Sequence, residues 1–137
     1  MIENTEGALP VTTGRVLICD DETRLATLTA GLLEEFGYEA TTVGLGADAF
    51  AVLSTRSIPV DVLLLDVNLP RGMSAAEVLA EMVAEDCAVP VILTSGLAPE
   101  DLPRTLRDHP LVRSYLAKPY TVDELVGAIS SAIAQRA

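Results

Sequence analysis

Basic residues are scarce in this chain. Nine lysines and arginines stand against 20 aspartates and glutamates, a formal net charge of −11 over 137 residues. Nucleic acid and anionic membrane surfaces both need a basic face, so neither is expected as a direct partner. Cysteine is nearly absent: Cys19 and Cys87 lie far apart and in no metal-ligand spacing. Cys19 falls inside an apolar run and reads as a small buried residue rather than a reactive thiol. No apolar stretch approaches the length that spans a bilayer, and no signal peptide precedes the first apolar run. The expected location is therefore cytoplasmic. The single histidine, His109, sits between Asp108 and Pro110, a loop setting more often solvated than catalytic. Internal repeats and low-complexity tracts are missing as well.

What the chain has in quantity is apolar sequence. Half of it is hydrophobic and 21% charged, enough for a real core in one domain and too short for two ordinary ones. Residues 1–14 show no periodicity and read as a tail or linker; residues 15–137 read as the domain. Arg15-Val16-Leu17-Ile18-Cys19 is a first buried strand ending on Asp20-Asp21-Glu22. A helix follows with Leu25, Leu28, Leu32 and Phe36 on one face, stopped by Gly37. A more polar second strand, Tyr38 to Val43, suits a sheet edge, and Ala47 to Ser54 is a short helix. Val60-Asp61-Val62-Leu63-Leu64-Leu65-Asp66 is a third strand, apolar on both faces and entering a loop at Asn68, Pro70 and Gly72. Ser74-Ala75-Ala76-Glu77 has the spacing of a capping box and starts a helix running to about Glu85.

Pro90 to Thr94 forms a fourth strand. Pro99 could open a helix that Pro103 would break within about a turn, so a short or displaced helix is expected there. Leu111 to Ala117 holds the fifth strand, and the capping box Thr121-Val122-Asp123-Glu124 starts a last helix with Leu125, Ile129 and Ile133 on one face. Five strand–helix units predict an α/β fold, a parallel sheet with helices on both faces and the order 2-1-3-4-5. Ligands of such sheets sit at the carboxyl ends of the strands, beside the crevice between strands one and three.

Polar residues end the apolar strands. Strand one delivers Asp20 and Asp21, strand three Asp66, strand four Thr94 and strand five Lys118. Each alone is an ordinary turn or cap residue; their joint occurrence at one sheet edge is not. Three carboxylates so close would raise one another's pKa unless a cation sat among them. With oxygen ligands only, a hard octahedral Mg2+ is the natural choice. Such an ion bridges a carboxylate and a phosphoryl oxygen, Lys118 adds a second positive charge and Thr94 a hydroxyl donor. Asp66 is then the nucleophile that becomes an aspartyl phosphate.

These residues make the chain resemble the receiver domains of two-component response regulators, from about Arg15 to Ala134. The carriers are Val16 to Glu22, Val62 to Pro70, Thr94-Ser95-Gly96 and Lys118-Pro119-Tyr120. The resemblance implies a flavodoxin-like (βα)5 three-layer sandwich and a phosphorelay module rather than an enzyme acting on separate substrates. It implies phosphoryl transfer to Asp66 from the phosphohistidine of a histidine kinase or phosphotransfer protein. Mg2+ would be held by Asp20, Asp21, Asp66 and the backbone carbonyl of Asn68, with a cis peptide between Lys118 and Pro119. It also implies a switch in which Thr94 swings toward the phosphoryl group and Tyr115 turns inward behind it. By its position alone Tyr115 reads equally as a strand-edge aromatic. With no DNA-binding unit expected after Ala137, output would be protein–protein contact or onward phosphotransfer.

Two stretches depart from that pattern. Arg71-Gly72-Met73-Ser74 adds a residue to the loop after Pro70, a form similar to receivers attached to sensor kinases. Pro103 and Pro110 interrupt the fourth connection and argue against dimerisation through that face. Other classes fit less well. A phosphatase of the haloacid-dehalogenase type needs an acid two residues after the nucleophile, where this chain has Asn68. A flavin carrier needs a neutral, hydroxyl-rich loop where Asp20-Asp21-Glu22 stands. A receiver fold that binds partners without phosphorylation would not need the complete site.

Overall fold

The computed structural model describes residues 13–136. Residues 1–12 of the expected tail lie outside the described residues, and Gly14 already belongs to the first strand. Five strands, β1 (Gly14–Cys19), β2 (Tyr38–Val43), β3 (Val62–Asp66), β4 (Val91–Ser95) and β5 (Val112–Ala117), form one sheet in the order β2-β1-β3-β4-β5. All four pairings are parallel. Between them run α1 (Thr23–Glu35), α2 (Gly46–Thr55), α3 (Ala75–Ala84) and α4 (Arg104–Arg107), with α5 (Val122–Arg136) last.

Strand side chains alternate between faces, so each buried strand feeds two cores. Leu17, Cys19, Leu63, Leu65, Val91 and Leu93 pack on one face with Ala49 and Leu53 of α2, Val78, Leu79 and Met82 of α3, and Leu106 of α4. Val16, Ile18, Val62, Leu64 and Ile92 pack on the other with Ala26 and Leu33 of α1 and Leu125, Ile129 and Ala132 of α5. This is the expected flavodoxin-like three-layer sandwich. The polar β2 sits at the edge, and the winding reverses between β1 and β3, where the crevice opens.

The inner face of α1 differs from expectation. Ala26, Thr29 and Leu33 are buried, while Leu28 and Phe36 are 63% and 49% exposed. Both sets have helical spacing, one position apart. The structure turns Ala26, Thr29 and Leu33 inward and leaves Leu25 and Leu32 half-buried, so the buried face is rotated by about one position from the expected one. Gly37 does end the helix, at φ +90°.

The fourth connection is broken as the prolines suggested, into two separate turns. A 3-10 turn at Pro99–Asp101 is followed by the single-turn α4, with Pro103 just before it. Both capping boxes form: Glu77 N–H donates to Ser74 and Ser74 N–H to Glu77, with the same exchange between Thr121 and Glu124. Among the described residues, no helix is long and apolar enough to cross a membrane.

Candidate functional site

The carboxyl ends of β1, β3 and β5 bring four acids and one lysine together. Asp20 follows β1, its N–H still bonded to Val43 of β2, so its backbone is fixed by the sheet. Asp66 is the last residue of β3, paired in register with Thr94 of β4. Both Asp66 and Thr94 are buried to 2% exposure, and Asp20 to 6%. Asp21 is half-buried beside them. Carboxylate oxygens of Asp20, Asp21 and Asp66 all lie within 4.8 Å of one another.

Lys118 enters from the end of β5, held by its backbone N–H on the Ser95 carbonyl at 2.7 Å. Its ammonium donates to Asp20 Oδ2 and Asp66 Oδ2, each at 3.1 Å, and reaches Glu22 Oε1 at 3.5 Å. The peptide between Lys118 and Pro119 is cis. Asp20 and Asp66 are each also held by a main-chain donor. Glu22 N–H donates to Asp20 Oδ1 at 2.9 Å and Asn68 N–H to Asp66 Oδ1 at 3.0 Å. Both loops thus turn back on the acid two residues earlier.

Electrostatics divides these groups. Burial pushes the Asp66 carboxyl above its usual value, and Asp20 adds to that push; the Asn68 N–H and Lys118 oppose it without cancelling it. For Lys118 burial works against the charge, but the hydrogen bonds to Asp20 and Asp66 outweigh it and the ammonium is held more firmly than usual. Cys19, one residue before the acids, has its thiol pushed up to about 12 by burial and then by Asp20. It is buried and free, an inert core residue as its apolar setting suggested.

A cluster of oxygen donors with one ammonium cannot neutralise its own charge, and its donor chemistry suits a hard divalent cation such as Mg2+. Tyr115 is half-buried, and its hydroxyl donates to the carbonyl of Leu97 and, at 3.4 Å, to that of Ser95. The ring is therefore tied to the loop that follows Thr94. His109 accepts from the Leu111 N–H at 3.1 Å and serves the turn before β5. The loop after Pro70 leans on α2: a Cβ at Gly46 would stand 2.6 Å from the Met73 carbonyl oxygen.

Two contributors were not singled out from sequence. Glu22 was visible only as the third acid of a run, and its contact with Lys118 spans 96 residues. Ser95 acts through its main chain, for which a sequence carries no signal. A cavity of about 570 Å³ lies at the opposite edge, lined by Arg56, Ile58, Cys87 and Arg113 among others. Arg56 there donates to the Glu85 carbonyl at the end of α3, a capping contact, and none of the strand-end polar residues lines it.

The family model of the response regulator receiver domain matches residues 16–130. The chain belongs to that family. It is 36% identical over 118 residues to the sensory transduction protein RegX3 of Mycolicibacterium smegmatis, an alignment covering 86% of this chain and 50% of that protein. The CAI-1 autoinducer sensor kinase/phosphatase CqsS of Vibrio cholerae is 26% identical, with 85% of this chain and 17% of that protein covered. A response regulator receiver domain protein from Clostridium thermocellum superposes with TM-score 0.79 at 26% identity, covering 90% of this chain and 96% of that one. The chain spans about half the length of the regulators it matches and a smaller share of the sensor kinase.

Proposed function

We propose that this chain is the phosphoacceptor of a two-component phosphorelay, with Asp66 as the residue phosphorylated. The donor is the phosphohistidine of a histidine kinase or phosphotransfer protein. An Asp66 carboxylate oxygen attacks phosphorus, the bond from phosphorus to the imidazole nitrogen breaks, and the leaving imidazole takes a proton from solvent. The observation that carries this reading is the buried Asp66 carboxylate with the Lys118 ammonium 3.1 Å away and two further carboxylates alongside.

Asp20, Asp21, Asp66 and the Asn68 carbonyl would hold Mg2+, which supplies charge neutralisation on the phosphoryl oxygens. Lys118 binds a phosphoryl oxygen and Thr94 donates its hydroxyl to another. Once formed, the acyl phosphate adds charge and acceptors at the end of β3. Thr94 turns toward it, and Tyr115 follows, changing the surface of the 3-10 turn, α4 and β5. Output is protein–protein contact by a domain of residues 15–137 in the cytoplasm, with no direct contact to nucleic acid or membrane.

Acetyl phosphate with Mg2+ should label the chain at one phosphate per molecule. Asp66→Asn should abolish the label, and Lys118→Ala should retain the fold while losing the phosphorylation-dependent change in Tyr115 fluorescence. Label retained in Asp66→Asn would overturn the assignment. Multiple turnovers on p-nitrophenyl phosphate would replace it with a phosphatase.

A further inference from the structure

Glu22 is the one charged member of the Lys118 cluster to which the mechanism above gives no role. It occupies the N-cap of α1, yet its side chain makes no capping hydrogen bond. Serine, threonine, aspartate or asparagine would cap better, and glutamate is a poor choice for that purpose. Its carboxylate reaches across to the Lys118 ammonium instead, at 3.5 Å. An ammonium has three donors, and Lys118 has three carboxylate partners within reach: Asp20, Asp66 and Glu22. An incoming phosphoryl oxygen must therefore displace one of them. Asp20 and Asp66 are buried at 7% and 3% side-chain exposure and stand at 3.1 Å, whereas Glu22 is 63% exposed and the longest contact. Water can take over its solvation, so Glu22 is the partner that yields.

We propose that Glu22 is a specificity-determining residue for the phosphodonor: it holds the third donor of Lys118 and sets a charge-dependent barrier to the incoming phosphoryl group. The inference rests on the phosphoacceptor reading. An exposed negative charge at the mouth of the site opposes a dianionic donor more than a monoanionic one, and salt screens the difference. Acetyl phosphate is a dianion and phosphoramidate a monoanion at neutral pH. In both reactions the Asp66 oxygen forms the new bond to phosphorus. The bond to the leaving group breaks, releasing acetate from the first and, with a proton, ammonia from the second.

The test compares initial phosphorylation rates with the two donors at saturating Mg2+ in wild type, Glu22→Gln and the distant surface control Glu81→Gln. The acetyl phosphate to phosphoramidate rate ratio should rise about two- to threefold in Glu22→Gln at low ionic strength. It should fall back toward the wild-type ratio in high salt and stay unchanged in Glu81→Gln. A purely structural role would slow both donors alike and leave the ratio fixed. An unchanged ratio with labelled wild type overturns this inference alone. No label on the wild type from either donor overturns the phosphoacceptor reading, and this inference with it.

Discussion

Asp66 is buried among acids, and its charged form is disfavoured by the fold. A carboxyl raised above its usual 3.8 opposes folding once it ionises, and this penalty disappears as the pH falls below 3.8. Asp66→Asn in EDTA should therefore melt at or above the wild-type temperature at pH 7, with the gap closing near pH 3.8. A lower melting point at pH 7 would show that the Lys118 contact outweighs burial. Cys19 makes a second residue-scale prediction. With its thiol at about 12 and no exposed surface, iodoacetamide at pH 8 should modify Cys87 and spare Cys19 in the native protein. Both should react in urea. Modification of native Cys19 would contradict its burial. The sequence already suggested this inertness, because Cys19 lies inside an apolar run; the thiol is raised first by burial and then by Asp20, and the further push from Asp66, 47 positions away, was not legible there.

Elements were legible where local chemistry specifies them. Serine or threonine three residues before glutamate gave both capping boxes, and Gly37 gave the end of α1. Facing was less legible, since Leu25, Leu28, Leu32 and Phe36 repeat with the same period as the residues that point inward. The choice between two stripes rests on how closely a helix can approach the sheet, which is a property of the pair. Glycines make the distinction testable. A Cβ at Gly46 meets the Met73 carbonyl and, at 2.8 Å, a Val78 methyl, whereas one at Gly31 of α1 meets nothing within 4 Å. Gly46→Ala should destabilise by about 1–3 kcal/mol. Gly31→Ala should stabilise by up to about 1 kcal/mol. Urea denaturation of the two variants checks both signs; equal effects would mean that the loop after Pro70 does not bear on α2.

At the scale of the whole molecule, an ion held by these acids would couple its binding to folding. An ion bound only by the folded chain at a hundred times its dissociation constant adds about 2.7 kcal/mol, an upward shift in melting midpoint of about 10 °C. Mg2+ should produce such a shift in wild type and EDTA should reverse it, while Asp20→Asn combined with Asp21→Asn should remove it. Absence of any shift in wild type would count against the Mg2+ assignment. The sheet order behind this coupling was readable because five apolar runs alternate with helical segments and parallel neighbours require crossovers.

Sequence alone determined that Asp20, Asp66, Thr94 and Lys118 stand at the carboxyl ends of β1, β3, β4 and β5. A buried strand must stay apolar while it is covered and can turn polar only where it leaves the sheet. Tertiary structure alone decided which acids Lys118 meets. Asp20-Asp21-Glu22 are three equivalent letters in a run, but the turn into α1 presents Asp20 and Glu22 to an ammonium that arrives from nearly a hundred residues away. Contacts of that range depend on where the strands meet and how each loop folds back, and no local spacing encodes either.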